Sequence, residues 1–118
     1  MGIDEYLRVP IQIEQLIQFS QDELDMYVLY VYSDFEIVTA DTVFYLDGYC
    51  EVDDADNEIY PPFVVKNNLL SYFHGDIASD IIANTRHQLK PKIPNADDYI
   101  KNFNYYNKHD CFVDFAKR

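Results

Sequence analysis

Met26-Tyr27-Val28-Leu29-Tyr30-Val31-Tyr32 is the stretch on which the fold turns. It is apolar and aromatic throughout, and no charged or amide side chain interrupts it. A strand with one wet face alternates polar and apolar residues, whereas a run without alternation belongs to a strand covered on both faces. The β-branched and aromatic content favours the extended backbone. The run is therefore read as the central strand of a sheet, which needs strands at its edges and covering layers above and below.

Working upstream, Pro10 to Ser20 spells a first helix, with Ile13, Leu16 and Ile17 at 3–4 spacing and Pro10 suited to a first helical turn. Ser20 to Glu23 has the letters of a capping box, but the β-rich run beyond it favours a turn. Downstream, Thr42 to Leu46 reads as a second strand that runs on towards Val52 through a bulge or turn at Gly48. Glu51 to Glu58 reads as an acidic loop closed by Pro61-Pro62, and Phe63 to Asn68 as a helical turn. Leu69 to Phe73 is a short third strand.

Gly75-Asp76 opens the best helix, with Asp76 as N-cap and Ile77, Ile81, Ile82, Thr85 and Leu89 on one stripe. Asn95 caps another, whose Ala96, Tyr99, Ile100, Phe103 and Tyr106 face inward. Asp110 to Phe115 reads as a last short strand. The expectation is an α+β fold, a small mixed or antiparallel sheet of about four strands with three helices, as a single domain over residues 1–118. The strand order stays open.

Charge separates the two halves of the chain. The sequence has 21 acids, 9 bases and a net charge of −12. Between Arg8 and Lys66 there is no Lys or Arg, while thirteen carboxylates fall in that stretch. From Lys66 onward eight bases stand against six acids. A negative field of this kind repels nucleic acid and anionic membranes, and it speeds encounter with a basic partner. Aromatics make up 16% of the chain, as 11 Tyr and 8 Phe, and tyrosine suits a binding surface because its ring packs while its hydroxyl stays wet.

Two zones combine these features. Asp47, Glu51, Asp53, Asp54, Asp56 and Glu58, flanked by Tyr49 and Tyr60, form the first partner-binding candidate. Asp34, Glu36 and Asp41, between the first two strands, form the second. Close charge pairs across an interface couple by about 1.5–7 kcal/mol each, so a few of them with aromatic anchors reach the ~12 kcal/mol of nanomolar affinity.

Chemistry finds less support. The run from Asp53 to Glu58 has carboxylates at alternate positions, but a calcium loop counted from Asp54 would need Gly at Ile59 and Glu at Val65. His74, His87, His109, Cys50 and Cys111 make no zinc-type pair of motifs. Cys111 beside His109 with Asp110 between is the one nucleophile–base grouping, and on a strand Asp110 would point to the opposite face. With three glycines in all, phosphate-cradling loops are excluded. No metal, no cofactor and no catalytic residue is expected. Met1 to Pro10 lacks the apolar run of an export signal, so Cys50 and Cys111 are expected as reduced thiols in the cytoplasm.

Asn84-Thr85-Arg86-His87-Gln88, Phe103-Asn104-Tyr105-Tyr106 and Asp110-Cys111-Phe112 follow a short N-terminal helix, a hydrophobic strand and an acidic middle. In that order of parts, over roughly residues 10 to 115, the chain resembles the small acidic immunity proteins that bacteria encode beside contact-dependent growth inhibition and other polymorphic toxins. The resemblance implies a monomer that binds one cognate toxin domain 1:1, often a nuclease, and it transfers no contact residue. The charge argument makes a basic nuclease the expected partner. A nucleic-acid mimic acting on a DNA-binding protein and a small hydrolase are the rival readings.

Overall fold

The computed structural model describes residues 2–32 and 37–116. In chain order, a single 3₁₀ turn (Ile3–Tyr6) precedes α1 (Ile13–Leu16), α2 (Gln21–Leu24), β1 (Val28–Val31), β2 (Tyr45–Asp47), β3 (Glu51–Val52), β4 (Glu58–Ile59), α3 (Pro62–Lys66), β5 (Leu70–His74), α4 (Gly75–Leu89) and α5 (Ala96–His109). The fold is α+β, with one antiparallel sheet in the order β2-β1-β5 and a separate β3-β4 ribbon.

β1 is the central strand, and all four of its residues are buried. Alternation splits its side chains between two cores. Leu29 and Val31, with Phe44 and Leu46, pack against α1, α2, α4 and α5. Val28, Tyr30 and Tyr45 pack against Val64 of α3 and Leu69, with Tyr60 and Phe63 at the margin. Burial pushes the Tyr30 phenol well above the usual tyrosine range, and its hydroxyl donates to the Gly48 carbonyl at 2.7 Å.

The two edges of the sheet differ. Outside β2, the N-terminal segment bridges at Leu7 to Leu46 and at Ile11 to Phe44. β5 is the opposite edge, and no further strand is paired to it among the described residues. The β1–β5 register shifts between Leu29 and Tyr30, so Leu29 faces Phe73 and Tyr30 faces Ser71.

Three expectations are corrected. The helix expected over Pro10 to Ser20 is only the short α1, and the turn expected from Ser20 to Glu23 is instead the start of α2, because the capping box at Ser20 is real: Glu23 N–H donates to Ser20 Oγ at 3.2 Å and Ser20 N–H donates to the Glu23 carboxylate at 2.9 Å. Arg86 also closes the end of α1 by donating to the Ile17 carbonyl. Asp76 is not an N-cap; α4 begins at Gly75, two residues earlier than that cap would place it, with His74 in the cap position. Residues 110–115 form no strand. Asp110 ends α5 in the left-handed region (φ 60°), and side chains then take the place of a neighbouring strand. Val113 N–H donates to Asn102 Oδ1 at 2.9 Å, Gln88 Nε2 donates to the Val113 carbonyl at 2.7 Å, and Phe115 N–H donates to Gln88 Oε1 at 3.1 Å. Asn102 is fully buried and also donates to Thr85 and Asn84, so the motif around Asn84 to Gln88 holds α5 and the tail.

Gly75 joins the sheet to the helical layer. Its N–H donates to the Tyr27 carbonyl at 2.8 Å, and a Cβ there would sit 1.6 Å from the Leu24 carbonyl oxygen. That overlap is with backbone, which cannot rotate away. Gly75→Ala is expected to destabilise the fold by about 3 kcal/mol or more. Urea unfolding followed by circular dichroism measures this, and a loss under about 1 kcal/mol would contradict the packing at this joint.

Candidate protein-binding surface

The acidic stretch is a hairpin. β3 and β4 pair with Glu51 opposite Ile59 and Val52 opposite Glu58. Directly opposed residues share a face, so each face of the ribbon carries one carboxylate beside one aliphatic side chain. Asp53 builds the connecting turn. Its carboxylate accepts from the N–H groups of Ala55 and Asn57 at 2.9 Å each and from Asn57 Nδ2 at 3.2 Å. Asp56 occupies the left-handed region (φ 63°), and its N–H donates to the Asp53 carbonyl. The five acids of the hairpin therefore divide by task. Asp53 and Asp56 shape the turn, whereas the Glu51 and Asp54 side chains make no hydrogen bond among the described residues. Glu58 accepts from the Tyr60 hydroxyl at 2.7 Å, and that bond raises the phenol above its ordinary range.

All residues from 51 to 59 are exposed. Val52 and Ile59 are 62% and 50% accessible, an unusual setting for aliphatic side chains in a ribbon that packs under no other strand. Tyr60 ties the base of the ribbon down, its ring meeting Tyr30 edge-on at 6.5 Å. Tyr49 is anchored on the other side, where its hydroxyl donates to the Asp25 carbonyl at 2.9 Å and its ring meets His74 at 5.0 Å.

The structure thus brings Glu51, Asp53, Asp54, Asp56, Glu58 and Tyr60 together, and it separates others from them. Asp47 does not belong to the surface. It is 2% exposed, one oxygen accepts from Gly48 N–H at 2.8 Å, and the other faces Arg8 Nε at 3.4 Å. A carboxylate at the end of a buried strand needs these partners more than it can serve a foreign one. Asp41 is exposed in a turn closed by Thr39 and Thr42. Asp34 and Glu36 lie outside the described residues.

Electrostatically, the hairpin is not neutralised from within. Among the described residues one ion pair forms, Arg8 with Asp47. Arg86 is spent on Tyr99 Oη (2.9 Å) and Ile17 rather than on a carboxylate. Among the described residues no three His, Cys, Asp or Glu side chains cluster to hold a metal. Of the nucleophile grouping, Asp110 caps a helix in the left-handed region, the His109 ring lies on Tyr105 at 4.3 Å, and Cys111 is exposed. Those three residues terminate α5.

Expecting a featureless acidic loop missed the ribbon. The signal was present: Val52 and Ile59 are β-formers on either side of a turn rich in Asp and Asn. The exposed Val65 of α3 and Leu70 of β5 were missed as well, because a lone exposed aliphatic leaves no mark in a sequence.

Residues 10–115 match the family described as Domain of unknown function (DUF7716). The chain belongs to the DUF7716 family. No curated protein and no solved structure shows significant similarity to it. The DUF7716 stretch takes in the hairpin, all of the sheet and the tail clamp at Val113 and Phe115, while Arg8 precedes it. No helix among the described residues is long and apolar enough to cross a membrane.

The turn has a pH signature. The Asn57 N–H and side-chain amide, then the Ala55 N–H, hold the Asp53 carboxyl below its ordinary 3.8. A depressed folded-state pKa contributes order that is present above the ordinary value and is lost as pH falls through the lower one. The Ala55 and Asn57 amide resonances are expected to titrate with a midpoint below 3.8. A titration midpoint at or above 3.8 would show that those donors do not grip the carboxylate.

Proposed function

We propose that the protein is a binding protein that neutralises a basic toxin domain, in the manner of the immunity proteins it resembles, and that it acts in the cytoplasm as a monomer bound 1:1. The toxin is a basic nuclease by this reading, and neither a cofactor nor a catalytic residue takes part. The observation that carries the proposal is the exposed, unneutralised acidic hairpin on a buried base. Glu51 and Asp54 stand in solvent, and Tyr60 and Asp53 hold the ribbon in shape before any partner arrives. A preformed ribbon gives up little conformational freedom on binding, so more of the electrostatic attraction survives as affinity.

Carboxylates at fixed spacing can occupy the places where a nuclease holds phosphates, and the aliphatic partners on each face, Val52 and Ile59, supply dry contact beside them. The fold separates residues whose reversal tests binding from residues whose reversal tests folding. Glu51→Lys with Asp54→Lys leaves the Asp53 turn in place. Against a basic toxin domain of the proposed kind, calorimetric titration at low salt should show this double variant weakened by about 100-fold, with an unchanged thermal midpoint. Unchanged affinity in a stably folded variant would remove the hairpin from the interface. Tight binding to several unrelated DNA-binding proteins would favour the nucleic-acid mimic instead.

A further inference from the structure

Beside the hairpin lies a groove of about 290 Å³, with walls of Tyr60, Val64, Val65, Leu69 and Leu70 and one polar residue, Asn68. Val65 and Leu70 are 62% and 44% exposed, so the groove is open and mostly apolar. Tyr60 belongs to both features: its ring forms a wall of the groove and its hydroxyl bonds Glu58 of the ribbon. Leu70 begins β5, the edge strand to which no further strand is paired among the described residues. Carboxylate ribbon, apolar groove and open strand edge are thus consecutive.

Among the described residues no strand pairs with this edge. Exposed edges are ordinarily protected by a charge, a proline or a covering segment. The opposite edge, β2, has such a cover in the bridges from Leu7 and Ile11. β5 reads Leu-Ser-Tyr-Phe-His, with no Lys, Arg, Asp, Glu or Pro. A second copy of this chain is a poor occupant, since pairing two β5 edges would draw two acidic hairpins together on molecules of charge −12. A cationic strand meets no such repulsion.

We propose that the hairpin, the groove and the edge of β5 are one docking surface, and that its occupant is an extended, lysine- or arginine-bearing strand of the partner protein, added to the sheet beside β5. Backbone pairing along β5 supplies affinity, alternate apolar side chains fill the groove at Val65 and Leu70, and the basic side chains meet Glu51 and Asp54. This deepens the reading of the protein as a binder of a basic domain and rests on it.

Two synthetic peptides of roughly eight residues separate the strand from the charge alone. One alternates Lys and Val; the other alternates Lys and Pro, with equal charge but half its amide donors removed. Each is titrated at low salt into the ¹⁵N-labelled full chain. The Lys–Val peptide should bind about tenfold tighter than the Lys–Pro peptide, shift the amides of Val65, Leu70 and Ser71 as well as those of 51–58, and slow amide exchange along β5. Val65→Ala with Leu70→Ala, both exposed, should bring the Lys–Val affinity down to the Lys–Pro level. Equal affinity for both peptides, with shifts confined to 51–58, would overturn strand docking while leaving the basic-partner reading intact. Failure of both peptides to bind would overturn the two together. Protection of β5 that rises with the concentration of the protein alone would overturn the proposal in favour of pairing between copies.

Discussion

Val28, Leu29, Tyr30 and Val31 are buried without exception, and a strand in that state must be roofed on both sides. Each large side chain placed there contributes roughly 1.5–3 kcal/mol, so both roofs are required by the same four residues. On one side four helices provide the cover. On the other the cover is small: α3, Tyr60 and Phe63 over Val28, Tyr30 and Tyr45. The chain must pass from the end of β2 to the start of α3 to build it, and the passage is residues 48–61. Acidic residues there cannot be buried without partners, so they stand outside as a self-paired ribbon. The display of carboxylates follows from the burial of β1.

The ribbon is mounted on a rigid base. Gly75 lets the β5–α4 junction press against the Leu24 and Tyr27 carbonyls, and Asn102 with Gln88 fastens the tail to α4 and α5. Buried amide networks of this kind stabilise when every group is satisfied and cost about 1–3 kcal/mol for each group left without a partner. The far edge of β5 is without a neighbouring strand among the described residues. Arg8 performs a comparable service at the other end of the sheet, where it reaches the buried Asp47 from the left-handed region.

Much of this was legible in the residues. The central strand declared itself by its lack of alternation, α5 by Asn95 and its apolar stripe, and the α+β class by the order of the elements. What hid from view depended on distant contacts. The capping box at Ser20 was outweighed by the β-rich run after it, although Glu23 N–H does reach Ser20 Oγ. The tail looked like a strand because Cys111-Phe112-Val113 is a short apolar, β-forming run, and only the side chains of Gln88 and Asn102, from other elements, decide otherwise. Asp47 looked like its acidic neighbours, since a sequence does not show that Arg8 will fold back to meet it. Within the candidate site, the carboxylates could be read directly, whereas the split between turn-building and free acids needed the hydrogen bonds of Asp53.

Amide hydrogen exchange, measured on the full chain with and without a basic nuclease domain of the proposed kind, tests the central claim most directly. Slowed exchange across 51–60, with α5 unchanged on its outer face, is the predicted footprint. A footprint that spares the ribbon and falls on α5 around Lys101 and Lys108 would contradict the account, because the partner would then be meeting lysines instead of the acidic ribbon.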